Sequence, residues 1–456
     1  MLGRMGEIYS NAYCTVIAAA GEDAQTGLPG VSNISRREQR RVNVKDVTLI
    51  ELPYSKDHGS ALLSSSKWAT RGWTYQEGYL STRRLIFTEY CLLYLCNKEF
   101  ASEPFKHRVG TTREADKQSF ARFVPSATFR GHRTSTATLR ENIQEYTRRD
   151  LSHSEDSLNA FLGVLDYNSR TQGPMTHLWG LPLYEDQAMA PQPRDILFEL
   201  FWWHDVPGRR RGEFPSWTWA GWAGPVRFHV RDRVRPFPEG ATEGLRLPPP
   251  HRPQGTRIIA TDHGNKTLYE YAKDLLENTR SHGPLPSNLG PKKLSICCHA
   301  LPLRLQYIEL SEDQINKKYI MNTGINSEYA INKWSRRPEH PAGGQLAVVQ
   351  VYGGIYMCIQ PRLDLDVERQ GNFFALHFFN VENKCSGVFV RNRSLLVVRR
   401  IGDEVYERIG LIHWRFIDLD QAIFFIDEED HFLERVVLPP EDELFCTTAE
   451  KTICLV

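Results

Sequence analysis

The sequence predicts a mixed fold, with an α/β region at the N-terminus, a helical region in the middle and a β-rich region at the C-terminus. Near the N-terminus a short helical pattern runs directly into an apolar stretch, which is typical of one step of a parallel α/β layer. Apolar residues then recur mostly at helical spacing between 107 and 205, and short β-like runs dominate from Leu294 onward. These changes divide the chain into an α/β domain over 1–105, a helical region over 106–230 that ends in a tryptophan-rich segment, an irregular linker over 231–293 and a β region over 294–456.

The first predicted elements are a helix and a buried strand. Met5, Ile8 and Ala12 share one face of the helix, and the run from Cys14 to Ala20 is apolar and β-branched enough for the strand. The following GEDAQTGLPG is dense in turn formers and predicts a loop. Partial alternation in VNVKDVTLIEL then predicts an edge strand or one arm of a hairpin.

The segment RGWTYQEGYLSTRRLIF, residues 71–87, predicts a helix followed by a strand. Thr70 is the expected N-cap, and Trp73, Glu77 and Leu80 fall on one face of the helix. Because Gly78 weakens an isolated helix, tertiary packing must hold this one in place. The runs RLIF and YCLLYLC predict a hairpin or two neighbouring strands.

Helical spacing in the middle region predicts two amphipathic helices separated by a capped turn at SHSED. Their apolar positions are Leu139, Ile143 and Tyr146 in the first helix, and Leu158, Phe161 and Leu165 in the second. A further helix, RDILFELFWWHD, is predicted from near Asp195. In FPSWTWAGWAG, alternation places Trp217 and Trp219 on one side of an extended segment.

Charge and cysteine content restrict the partners and the compartment. The formal net charge of +1 gives no global field that would recruit nucleic acid or an anionic membrane. Nine cysteines lie in scattered apolar runs without CxxC pairs, which indicates buried thiols in a reducing compartment. The apolar run near the N-terminus is too short for a membrane anchor, so we expect a soluble cytoplasmic protein.

Several motifs in order resemble those of fungal heterokaryon incompatibility (HET) domain proteins. They are IYSNAYCTVIAAAGEDAQTGLPGV, RGWTYQEGYLSTRRLIF with YLC after it, YTRRDLSHSEDSLNAFLGVL, HLWGLPL, PSWTWAGWAG and YERIGL. The HET domain itself corresponds to the first hundred or so residues, and the later motifs resemble the region that commonly follows it. The resemblance implies regulated cell death after non-self recognition, with other proteins of an incompatibility pathway as partners and self-association as an open alternative.

One departure from the family pattern bears on the site. Family members usually carry a YxWG-like motif and a WIDxLCIxQ-like motif ahead of the IY helix, and both are absent here. We therefore expect an incomplete domain, from a truncated gene model or a degenerate paralogue, with an exposed sheet edge beside Cys14 to Ala20.

The family is thought to be distantly similar to TIR domains, which implies a Rossmann-like layer and a candidate site at Glu77. Enzymatic TIR domains cleave the nicotinamide bond of NAD with a helix-borne glutamate, and one carboxylate near the ribose stabilises an oxocarbenium-like state. NAD would then be a substrate, with Arg71 contacting phosphate and Trp73 and Tyr75 stacking on the base. In the alternative, Trp73 and Leu80 are core residues and Glu77 pairs with a neighbouring arginine.

Other clusters have structural explanations beside the functional ones. Trp217, Trp219 and Trp222 form either a sugar-stacking platform or a buried wedge. Asp156 and His153 form either a general-base pair or part of the helix cap at SHSED.

The remaining polar clusters do not predict a metal site or a nucleic-acid site. Cys297, Cys298 and His299 lack zinc spacing, and adjacent cysteines in a strand point to opposite faces, so no metal site is predicted. The basic runs SRREQRR and GRRRG lack interleaved aromatics and are predicted to be solvated loops.

These patterns leave three hypotheses for the function. The first is a HET-like protein that acts in cell-death signalling through protein association. The second is an NAD-cleaving hydrolase with Glu77 as its essential carboxylate, and the third is an inactive truncated paralogue.

Overall fold

The computed structural model comprises two compact units, and each is described separately. Unit 1 contains Met1–Pro191, Ala223–Val226 and Leu275–Gly290, and unit 2 contains Gln192–Trp222, Arg227–Asp274 and Pro291–Val456. The structure describes residues 5–23, 25–38, 40–50, 63, 65–96, 100–103, 136–171, 175–184, 199–204, 206–228, 258–260, 266, 270–271, 273–275, 277, 290–307, 345–359, 361–364, 371–377, 380–385, 388–415, 423–431, 433 and 448–456.

The helices and the strands of the first 184 residues belong to unit 1. The helices are α1 (Met5–Asn11), α2 (Lys67–Thr70), α3 (Thr74–Leu80), α4 (Thr136–Tyr146) and α5 (Asp156–Thr171). The strands are β1 (Thr15–Ala18), β2 (Arg41–Val44), β3 (Val47–Ile50), β4 (Arg83–Phe87), β5 (Leu92–Cys96), β6 (Phe100–Ser102), β7 (Met175–Leu178) and β8 (Leu181–Tyr184).

A four-stranded sheet in the order β1-β4-β5-β6 forms the α/β layer of unit 1. β1 is parallel to β4, and β4 forms an antiparallel hairpin with β5, which confirms the predicted pairing of RLIF with the following run. Among the described strands β1 lies at an edge of this sheet, and its burial alternates along the strand. Ile17 is buried in the core, whereas Val16 is 52% exposed. The prediction of a buried strand is therefore correct for one face, because helices cover that face alone among the described residues.

The segment VNVKDVTLIEL forms the two-stranded hairpin of β2 and β3, as one of the two predicted alternatives stated. Lys45 in its turn has a left-handed backbone, with φ 55°. Val42, Val44, Val47 and Leu49 are all exposed, and the register places them on one face of the hairpin.

The predicted N-cap at Thr70 is wrong, because two short helices replace the single helix. Ser66 caps α2 with its side chain, Thr70 is the last residue of α2, and α3 begins at Thr74. Between them, Arg71 forms a parallel bridge with Asp150, and the Gly72 amide donates to the Asp150 carbonyl at 2.7 Å. A backbone contact to a distant segment therefore interrupts the helix that local spacing favoured.

The two helices of the middle region match their predicted faces. All six apolar residues predicted to share those faces are buried: Leu139, Ile143, Tyr146, Leu158, Phe161 and Leu165. The region is not helical throughout, however. Met175–Leu178 and Leu181–Tyr184 pair as a hairpin, and Trp202–His204 is a strand where the end of the helix RDILFELFWWHD was predicted. The first part of that helix, residues 194–198, lies outside the described residues.

The strands from Trp202 onward are short at first and then include the long strands of a large sheet. They are β9 (Trp202–His204), β10 (Arg209–Arg210), β11 (Trp222–Ala223), β12 (Val226–Phe228), β13 (Ile258–Ala260), β14 (Leu294–Tyr307), β15 (Gln345–Tyr352), β16 (Ile355–Ile359), β17 (Arg362–Leu363), β18 (Phe373–His377), β19 (Asn380–Cys385), β20 (Val388–Gly402), β21 (Val405–Arg415), β22 (Ile423–Ile426) and β23 (Glu450–Leu455). The predicted linker over 231–293 lies for the most part outside the described residues.

Unit 2 is dominated by an eleven-stranded sheet, which confirms the predicted β-rich C-terminal region. Its pairings close on themselves, because β14 pairs with β18, β18 with β20, β20 with β21, β21 with β23 and β23 again with β14. Five strands therefore form a closed barrel, and β23 is the strand that completes it. A cluster of buried, mostly aliphatic side chains from β14, β15, β16, β18, β20 and β21 forms a hydrophobic core against this sheet.

The neighbouring cysteines of β14 lie on opposite faces of the strand, as predicted. Cys298 is buried and Cys297 is partly exposed, as expected for neighbours on opposite faces of a strand.

Among the residues that the structure describes, no helix has both the length and the apolar character needed to cross a membrane.

Candidate functional site

The site predicted around α3 is built by two motifs that are far apart in the sequence. The segment RGWTYQE contacts the segment YTRRDL, which begins at Tyr146, the last residue of α4. The Asp150 amide donates to the Thr70 carbonyl at 2.6 Å, and the Asp150 carbonyl accepts from Gly72. Two backbone hydrogen bonds, one donated by each segment, therefore hold the residues before α3 against Asp150.

The side chain of Arg149 joins the same two motifs. Its guanidinium lies 5.7 Å from the centre of the Trp68 ring and 4.9 Å from that of Tyr75, and it donates to the Thr74 hydroxyl at 3.2 Å. Burial lowers the pKa of Arg149, which shows how completely this cation is withdrawn from water. We infer that Arg149 acts as a cation–π bridge within the core of unit 1.

Helix α1 contributes a third side to the site. A Cβ added to Gly6 would lie 3.0 Å from the Cα of Gly163 on α5, so the two helices approach closely at their glycines. Tyr9 on this helix is half-buried and within electrostatic range of Glu77. Of the three residues predicted to share a face, Met5 and Ala12 are partly buried, whereas Ile8 is 52% exposed.

Glu77 lies half-buried beside Tyr9, Arg71 and Trp68. Burial raises the pKa of Glu77, and the Trp68 side chain and then the Arg71 guanidinium act in the opposite direction. Burial also raises the pKa of Tyr9, and the negative charge of Glu77 adds to that effect. The arrangement is a partly dehydrated carboxylate within electrostatic range of a phenol and a cation, which can bind a hydroxyl or stabilise a developing positive charge.

The four residues predicted for an NAD site differ in their exposure to solvent. Arg71 and Glu77 are neighbours, and Trp73 is half-buried with its indole N–H donating to Asp156 at 3.0 Å. Tyr75 is completely buried, and its ring packs against three other aromatic rings, those of Tyr79, Tyr146 and Phe161. A base cannot reach Tyr75 in this conformation, so its assignment stays a prediction without geometric support.

Sequence reasoning missed two residues of this cluster. Trp68, and not Trp73, is the tryptophan that packs in the core against the sheet, together with Ile17 and Ile86. Tyr9 was not singled out at all. Its position in the helix that precedes β1 was the available signal, because that helix packs beside α3.

The remaining predicted clusters have structural roles. Trp217, Trp219 and Trp222 are completely buried, so a sugar cannot stack on them in this conformation. Asp156 accepts the bond from Trp73, and His153 is exposed. Within the described part of the chain, no three His, Cys, Asp or Glu side chains are grouped so that they could hold a metal ion.

Four arginines of the two basic runs are engaged in ion pairs or buried, and Arg40, Arg41 and Arg209 are exposed. Arg36 pairs with Glu103 and Arg37 with Glu89, so the first run is a surface loop with internal partners. In the second run, Arg210 pairs with Glu407 at 3.1 Å. Arg211 is buried and donates to the Trp222 carbonyl, so the prediction of a solvated loop is wrong for that residue.

Unit 2 contains a buried charged network that the sequence did not indicate. His204 Nδ1 lies 2.9 Å from Asp364 Oδ1, and Arg408 Nη2 lies 3.3 Å from Asp364 Oδ2. All three side chains are inaccessible to solvent. The Arg408 guanidinium also lies 3.3 Å from the centre of the Trp202 ring and donates to the Trp202 carbonyl. Because the side chains of His204, Asp364 and Arg408 are all shielded from solvent, we interpret this network as structural.

The comparisons with known proteins support the assignment of the N-terminal layer. Residues 1–77 match the model of the family described as heterokaryon incompatibility protein (HET). The chain therefore contains HET domain sequence, and the resemblance seen in its motifs is confirmed over this segment. The match ends at Glu77, so YTRRDL lies outside it although the two motifs are in contact. Neither the curated proteins nor the solved structures gave a match.

The raised pKa of Glu77 predicts a specific pH dependence of stability. The folded protein keeps the Glu77 proton to a higher pH than the unfolded chain, so ionisation of Glu77 costs stability as the pH rises through its folded pKa. We expect Glu77→Gln to gain stability relative to wild type at pH 7 and to lose that advantage as the pH falls towards 4. Urea unfolding across this range measures the difference, with Glu7→Gln on the exposed side of α1 as the control. A difference independent of pH would contradict the burial of this carboxylate.

Proposed function

We propose that this protein acts in fungal non-self recognition and regulated cell death, in the cytoplasm, through association with other proteins. The match of residues 1–77 to the HET family supports the biological role. The likeness of the layer to TIR domains stays a prediction.

The observation that supports association is the side of the four-stranded sheet that carries partly or fully exposed apolar side chains among the described residues. The register aligns Val16 with Leu85 and Leu85 with Tyr94, and all three side chains are at least partly exposed. We call this side the open face. Among the described strands, β1 pairs only with β4, and Tyr13 just before it is 81% exposed. An apolar face next to a free strand edge is typical of a protein interaction site.

Expression of the full chain in a filamentous fungus tests this proposal. We expect growth arrest with the wild-type chain and its loss with Val16→Lys, because a charge on the open face opposes association. Val47→Lys is the matched control, since Val47 is 59% exposed on the separate β2–β3 hairpin. Growth arrest that survives Val16→Lys, or that Val47→Lys abolishes equally, would contradict association through the open face.

The second candidate function is cleavage of NAD, and the half-buried Glu77 carboxylate within electrostatic range of Tyr9 and Arg71 favours it. Incubation of the purified protein with NAD tests this function through the release of nicotinamide. Turnover by wild type that Glu77→Gln abolishes would support the enzyme. Absence of turnover in both, combined with growth arrest, would favour association, and absence of both activities would favour an inactive paralogue.

A further inference from the structure

Four polar atoms of the buried network in unit 2 have no hydrogen-bond partner in the part of the chain that the structure describes. They are Nε and Nη1 of Arg408, Oδ2 of Asp364 and Nε2 of His204. The three side chains that carry these atoms are inaccessible to solvent. Buried polar groups in native proteins are hydrogen-bonded to protein or to a bound molecule in the great majority of cases. Several such atoms in one cluster therefore indicate a binding site inside unit 2.

The groups that carry these atoms meet at one carboxylate. His204 Nδ1 lies 2.9 Å from Asp364 Oδ1, and Arg408 Nη2 lies 3.3 Å from Asp364 Oδ2. The backbone of Asp364 is bonded on both sides, because its amide donates to the Ile409 carbonyl at 2.7 Å and its carbonyl accepts from the Gly208 amide at 2.7 Å. The polar atoms are therefore held in a fixed arrangement.

The cluster contains both donors and acceptors, and its charges cancel. The two Arg408 nitrogens can only donate, whereas Asp364 Oδ2 can only accept. His204 Nδ1 faces a carboxylate oxygen, so the neutral ring carries its proton on Nδ1 and Nε2 is an acceptor. The positive charge of Arg408 is compensated by the negative charge of Asp364.

A small neutral molecule that both donates and accepts matches this set of atoms. An added anion or cation would place an uncompensated charge beside a neutral ion pair that is shielded from solvent, which is costly. Water both donates and accepts, and it bridges polar groups of this kind inside proteins. The two nitrogens of an imidazole point in different directions, so His204 Nε2 and the Asp364 carboxylate need separate water molecules.

We propose that unit 2 holds ordered internal water at two positions. The first water accepts a hydrogen bond from Arg408 and donates to Asp364 Oδ2. The second donates to His204 Nε2, whose ring centre lies 5.4 Å from that of Trp202 and 6.1 Å from that of Trp222. These waters provide hydrogen bonds that the described protein groups do not, and they stabilise an ion pair that is withdrawn from solvent.

A crystal structure of the full chain, grown in the presence of sodium bromide, tests both positions directly. We expect electron density at about 3 Å from an Arg408 nitrogen and at about 3 Å from His204 Nε2, without the anomalous signal of bromide at either position. A bromide signal would indicate an anion site and would overturn the proposal. Missing density at either position would also overturn it.

Oxygen-17 relaxation dispersion, which counts long-lived internal waters in solution, provides a second test. The double variant Asp364→Leu/Arg408→Met is expected to lose about one or two such waters, since it removes the ion pair that binds them. Asp403→Ala, which removes an exposed carboxylate of the same unit, is the matched control and should keep the wild-type number. An unchanged number in a folded double variant would contradict the proposal.

The crystallographic test uses the wild-type chain and does not depend on the folding of any variant. The proposed function rests on residues of unit 1, whereas the internal waters lie in unit 2. Failure of one proposal is therefore distinct from failure of the other.

Discussion

An Asp364→Ala variant is expected to lose about 3–5 kcal/mol of the free energy of unfolding of unit 2, the usual cost of removing one partner from a buried ion pair. Asp364 contacts His204 through Oδ1 and forms an ion pair with Arg408 through Oδ2, and the three side chains are completely buried. Burial lowers the pKa of Arg408 to about 10, which reflects the cost of keeping this cation out of water. Removing the Asp364 carboxylate leaves the Arg408 cation buried without the ion pair that offsets its desolvation.

The polar atoms around Asp364 explain why the loss should be large. Among the described residues, Arg408 Nε and Nη1 and His204 Nε2 have no hydrogen-bond partner. The Arg408 side chain therefore depends on Asp364, the Trp202 carbonyl and the Trp202 ring. Hydrogen-exchange mass spectrometry of peptides from β9 and β21, together with urea unfolding, locates and measures the loss.

Two control variants make this expectation specific. Asp403→Ala removes a fully exposed carboxylate that lies 3.3 Å from Arg400, and it should change the free energy of unfolding little because solvent screens this pair. The double variant Asp364→Leu/Arg408→Met removes both charges, and it should recover much of the loss because no unpaired charge remains. A single variant as stable as wild type, or a double variant worse than the single one, would show that the network does not stabilise unit 2.

A Gly163→Ala variant is expected to lose about 1–3 kcal/mol in unit 1 because the added methyl group overfills a helix contact. The new Cβ would lie 2.2 Å from Gln76 Oε1, 2.9 Å from Leu80 Cδ1 and 3.0 Å from the Gly6 Cα. Gln76 cannot simply move away, since its amide donates to the Asn159 carbonyl and accepts from the Gly163 amide. Helix propensity alone would instead favour alanine by about 1 kcal/mol, so the sign of the change is informative.

Gly212→Ala is the matched control for this substitution. Nothing lies within 4 Å of the Cβ position of Gly212, and we expect little change in stability. Exchange of amides in α3 and α5 should accelerate only in the Gly163 variant. Stabilisation by Gly163→Ala would mean that α1, α3 and α5 are not in close contact.

Regular elements were predictable where one local pattern decides the structure. The faces of α4 and α5 follow from 3.6-residue spacing, because the apolar residues of each helix have one layer to contact. The β runs after Leu294 were equally clear, because β-branched residues alternate between turns. Strand Trp202–His204 was predicted as helix, since a short apolar run carries no period that separates the two.

The arrangement of the candidate site depends on contacts that the sequence separates widely. The helix break at Arg71–Gly72 needs Asp150, and the surroundings of Glu77 need Tyr9 from α1. Local spacing also could not decide whether Trp68 or Trp73 enters the core. Asp364 and Arg408 carry no motif, and only the pairing of β17 with β21 brings them together.

Closure of the barrel by β23 has a consequence for synthesis of the chain. β14 pairs along six residues with β23, about 150 positions later in the sequence. Until residues 450–456 emerge from the ribosome, β14 and β21 lack this neighbour and present unpaired backbone groups. At ordinary translation rates that interval lasts on the order of ten seconds. Nascent unit 2 is therefore expected to need chaperone protection late in translation, and to fold by a slow, non-local step.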